Sequence, residues 1–71
     1  MPAGRYRVIE PTIAMFDEGG RYVAHPVPAG AIILVDDSVD GDRLTDVTWD
    51  GQRVLIFTRD LRTRAVLEPE S

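Results

Sequence analysis

The dipeptide Asp50-Gly51, set within Asp46 to Arg59 (DVTWDGQRVLIFTR), constrains this chain more than any other feature. Asp-Gly supplies the two positive-φ positions of a type I′ turn, and that turn's twist matches the strands it joins. A two-residue loop also sets the register. Trp49 falls opposite Gln52, Val47 opposite Val54, Asp46 opposite Leu55, Thr45 opposite Ile56 and Leu44 opposite Phe57. Directly opposed residues share a face, so Val47, Trp49, Val54 and Ile56 form a core side. The reverse side is not uniformly polar, because Leu44, Leu55 and Phe57 collect at the end away from the turn. A sheet with one wet face alternates cleanly, and Val54-Leu55-Ile56-Phe57 does not. A second cover is therefore expected, from the same chain or from another copy.

The remaining elements are weaker. Arg5 to Glu10 reads as a first strand ended by Pro11. Thr12 to Phe16 and Arg21 to Ala24 read as a hairpin around Asp17-Glu18-Gly19-Gly20, followed by a prolyl turn from His25 to Gly30. Ala31 to Val35 is apolar on both faces, as in a central strand. An acidic loop from Asp36 to Asp42 leads into the main hairpin. After it come one 3₁₀ turn at Thr58 to Leu61, with Thr58 as cap, a closing strand from Arg62 to Leu67, and a frayed tail from Glu68 to Ser71. The expected fold is all-β: one domain, a small barrel or sandwich of five to seven strands in antiparallel hairpins.

From Gly30 to Leu67 this layout resembles an SH3-like small barrel, particularly the bacterial SH3 type. The features that carry the resemblance are Gly30 opening AIILV, the acidic loop, the VTWDGQRVLIF hairpin, a helical turn with Asp60-Leu61 and a short last strand. Peptide-binding members present a tryptophan after the acidic loop and a proline in the helical turn. Here those places hold Arg43-Leu44-Thr45 and Thr58 to Leu61, so the resemblance implies the fold without proline-peptide binding.

With 71 residues and no cysteine, neither a large core nor a disulfide framework is available, and self-association is the remaining route to extra burial. The longest apolar run, Ala31 to Val35, is far short of a membrane span, and no signal-peptide h-region opens the chain, so a cytoplasmic location is expected. A net charge of −4 disfavours a nucleic-acid partner. All basic residues are arginine, which excludes Schiff-base lysine chemistry and a P-loop.

Few residues suggest chemistry. Asp36, Ser38, Asp40 and Asp42 have the spacing of the first half of a calcium loop, but the position of its closing glutamate is Val47. His25 is the only histidine and has no legible nucleophile beside it. Arg59, Arg62 and Arg64 form the one basic cluster, a contact for an anion or partner or a set of ordinary ion pairs. No cofactor is implied. The feature with most consequence is the surplus apolar set Ile32, Leu34, Leu44, Leu55 and Phe57, expected to be an interface unless Val8, Ile9, Val66 and Leu67 cover it. The expected role is a noncatalytic interaction or structural module that binds itself or another protein. The alternative is a small-molecule-binding or enzymatic homo-oligomer with its site between subunits.

Overall fold

Asp50 and Gly51 take φ of 53° and 76°, and the strands they join, β5 (Leu44–Trp49) and β6 (Gln52–Phe57), pair from Trp49↔Gln52 to Leu44↔Phe57. That is the register the turn dictates. The structure, a computed structural model, describes residues 2–36 and 43–69. The other strands are β1 (Gly4–Val8), β2 (Thr12–Glu18), β3 (Arg21–Val27), β4 (Ile32–Val35) and β7 (Ala65–Leu67). One helix, α1 (Thr58–Arg64), stands between β6 and β7.

All described pairings are antiparallel, and the seven strands make one sheet in the order β3-β2-β6-β5-β4-β1-β7, curled into a half-barrel. Its concave side is the core. Val8, Ala14, Val27, Ile33, Val47, Val54 and Ile56 meet there, with Leu61 of α1 among them at 1% exposure. Trp49 and Phe16 pack against its margin.

Several local expectations are corrected. The first strand stops at Val8 rather than Glu10. The segment His25-Pro26-Val27 is not a turn but the end of β3, and Val27 is fully buried. Proline fits because β3 is an edge strand, where a missing N–H costs no ladder bond. The 3₁₀ turn and the start of the closing strand are together α1, which runs through Arg64 and leaves a last strand of three residues. Thr58 is not its cap, since the cap position is Phe57 and no side chain bonds there.

What holds so short a helix is tertiary. Leu61 is buried, and the amides of Ile9 and Glu10 donate to the Arg64 carbonyl at 2.7 and 3.3 Å. Thr12 Oγ1 donates to Asp60 Oδ2 at 3.1 Å. Glu68, expected in the tail, instead donates its amide to the Arg5 carbonyl at 2.7 Å.

Candidate interaction surface

Strand alternation that sends one set of side chains into the concave core sends the other set to the convex face. On β2, Thr12 and Ala14 are buried, so Ile13, Met15 and Asp17 point outward. On β6, Val54 and Ile56 are buried and Arg53, Leu55 and Phe57 point outward; on β5, burial of Thr45 and Val47 turns out Leu44, Asp46 and Thr48. On β3, Val27 is inward, which places Tyr22, Ala24 and Pro26 on the convex side.

Register then decides which outward residues meet. Met15 lies between Ala24 and Leu55, and Phe57 lies opposite Leu44. One step further along the β2/β6 register brings Ile13 beside Phe57. The result is an apolar patch across β3, β2, β6 and β5. Within it Ile13 is 49% exposed, Phe57 40%, Leu44 38% and Tyr22 61%. A depression of about 220 Å³ opens at its turnward end, lined by Met15, Tyr22 and Leu55 with Asp17, Asp46 and Arg53.

Arg53 organises the polar border. It pairs with Asp36, sits 3.4 Å from Asp46 Oδ1, and donates to Thr48 Oγ1 at 3.2 Å. These are exposed charges, and each such contact contributes little to stability. Their effect is geometric. Leu34 is paired with Thr48 and Thr48 with Arg53, so Leu34 sits at the β4 end of that row with Ile32 beyond it, and Thr48 and Asp46 on β5 part them from Leu44, Leu55 and Phe57. The five residues picked out from the sequence therefore fall into two groups. Ile32 and Leu34 neighbour Arg7 and Arg5 of β1, while the other three join Ile13, Met15 and Tyr22. Those last three were missed. The alternation in Thr12-Ile13-Ala14-Met15 was visible, but small residues on its inward side hid which face was core.

The four residues named as an alternative cover do not lie over the patch. Val8 is in the core, Val66 and Leu67 are on β7 at the far edge of the sheet, and Ile9 is 45% exposed in the β1–β2 connection.

The other sites expected from sequence are dispersed. Asp36 is engaged by Arg53, while Ser38, Asp40 and Asp42 lie outside the described residues. Among the described residues no group of three or more His, Asp or Glu side chains is gathered as a metal would require. Arg62 and Arg64 do not share a strand face, because both are on α1, where residues two apart point to different sides. Arg64 lies 3.8 Å from both Glu10 and Asp60 and donates to the Pro11 carbonyl at 3.0 Å. Arg59 and Arg62 are exposed. His25 Nε2 is 2.8 Å from Glu18 Oε2, and its ring meets Phe16 edge-on at 4.6 Å; Phe16 in turn meets Trp49 at 5.8 Å. No described helix is long and apolar enough to cross a membrane.

Set beside known proteins, the chain matches no family model, no curated protein and no solved structure.

Proposed function

We propose that this protein is a noncatalytic, self-associating interaction module built on an SH3-like half-barrel, with the convex apolar patch as its contact surface. The observation that carries the reading is the contiguity of Ile13, Met15, Leu44, Leu55 and Phe57 across three neighbouring strands, with Ile13, Leu44 and Phe57 each more than a third exposed. Contiguous apolar surface on a small domain marks an interface far more often than scattered apolar residues do. A second copy is the favoured occupant because a domain of this size buries a smaller share of its surface than a larger one, and closed association is the common route to burying more. The curled antiparallel sheet with one short helix is compatible with the SH3-like reading. The acidic net charge and the polar border of Arg53, Asp46 and Asp36 suit a patch that stays soluble until its partner docks.

Mass in solution by light scattering tests this with two variants. Phe57→Asp places a charge inside the patch and lowers the assembly mass, whereas Leu34→Asp, on β4 with Thr48 and Asp46 between it and the patch, leaves it unchanged. Equal behaviour of the two variants removes the patch as the contact surface.

A further inference from the structure

We infer that the outer edge of β3 is a second, independent contact, pairing main chain to main chain with β3 of another copy. It goes beyond the convex-face reading, since it uses backbone groups at a sheet edge rather than the apolar face. β3 ends the sheet and is seven residues long, whereas β7 at the opposite edge has three. A long edge strand is a template for pairing unless charge, proline or a bulge blunts it. Here Tyr22, Val23 and Ala24 are consecutive, uncharged and exposed.

Hairpin parity identifies the open groups. Gly19 and Gly20, at φ of 67° and 86°, form a two-residue loop, so the flanking pair Glu18↔Arg21 is hydrogen-bonded and every second pair after it repeats that state. Tyr22, Ala24 and Pro26 are then the positions whose main chain turns away from β2. Pro26, which has no N–H, falls on that parity, as it must if the ladder is intact. The N–H and C=O of both Tyr22 and Ala24 thus point outward, and no described backbone group beyond the ladder receives them.

A second copy fits this edge better than an arbitrary strand does. With a two-fold axis at Val23, Tyr22 of each copy opposes Ala24 of the other, and the two pairs exchange four main-chain hydrogen bonds. No bond is lost to Pro26. The same register sets Arg21 opposite the other copy's His25, which is held 2.8 Å from Glu18. Arg21 makes no ion pair among the described residues, so its guanidinium meets that carboxylate with complementary charge. An axis at Ala24 instead opposes Tyr22 to Pro26 and, with two of six bonds missing for want of the proline N–H, also keeps four; what separates the registers is that it leaves two outward carbonyls unpaired and gives Arg21 no acidic neighbour.

Ala24→Pro tests the edge, because it deletes an outward N–H without removing a bond to β2. Sedimentation equilibrium of the full chain is expected to show a wild-type assembly larger than a dimer. Ala24→Pro and Phe57→Asp are each reduced to a dimer, and the double variant to the 7.9 kDa chain. In wild type the amides of Tyr22 and Ala24 exchange slowly with deuterium and become fast on dilution; in Ala24→Pro, Tyr22 is fast throughout. Lower mass in Ala24→Pro with no change in Phe57→Asp supports the edge and removes the convex-face reading. Wild-type mass in Ala24→Pro, or fast exchange at both amides in the purified assembly, overturns the edge proposal and leaves β3 open to an extended segment of a different protein.

Discussion

Thr45 and Thr58 are both 3% exposed, and their hydroxyls lie 2.6 Å apart, so each satisfies the other where water does not reach. Removing one partner strands the other. Thr58→Val is expected to cost about 1–3 kcal/mol, as is Thr45→Val, while the double variant costs clearly less than their sum, since replacing both members of a buried polar pair is nearly neutral. Urea midpoints of the four proteins check this, and additive costs contradict it. Tyr6 carries a pH signature. Its hydroxyl donates to the Pro2 carbonyl at 2.6 Å, and burial pushes its phenol above the ordinary tyrosine value. The folded state therefore retains a proton that the unfolded chain surrenders near pH 10. Stability from this group is complete below about pH 10 and is lost as pH climbs through the higher folded value. Thermal melts between neutral and alkaline pH should show a shallower alkaline decline in Tyr6→Phe than in wild type. An identical decline refutes the assignment.

At the scale of elements, the chain divides by how local the causes are. The β5–β6 hairpin was legible pair by pair because Asp50-Gly51 sets its register within a dozen residues. α1 was not legible as a helix. Seven residues give fewer than two turns of periodicity, no side chain caps its start, and of its two buried residues, Thr58 and Leu61, only Leu61 is apolar. Such a helix exists because of what it packs on. Leu61→Ala should cost about 2–5 kcal/mol, comparable to the whole margin of a small domain, whereas Ala at exposed Arg62 stays within about 0.5 kcal/mol. Denaturation midpoints decide the point, and near-equal effects would show that Leu61 does not anchor the helix. β3 was cut short in the sequence reading because Pro26 resembles a turn until the strand is known to lie at an edge.

For the whole molecule, strand parity was readable and offset was not. Alternation alone put Ile32, Leu34, Leu44, Leu55 and Phe57 on the face away from the core, but no tight-turn signal of the Asp-Gly kind sets the offset of β4 along β5. That offset sets Leu34 against Thr48 and moves the patch toward Ile13 and Met15 on β2, a strand distant in sequence from β6. An interface on this face would be governed by apolar area rather than by charge, so raising ionic strength leaves it intact while screening the Arg53 border. Sedimentation equilibrium of the wild-type chain across protein concentration at low and high salt tests the central claim most directly. The account predicts a mass that is a multiple of 7.9 kDa, retained at high salt. A mass of 7.9 kDa at every concentration, with Ile13, Leu44 and Phe57 left facing water, contradicts it.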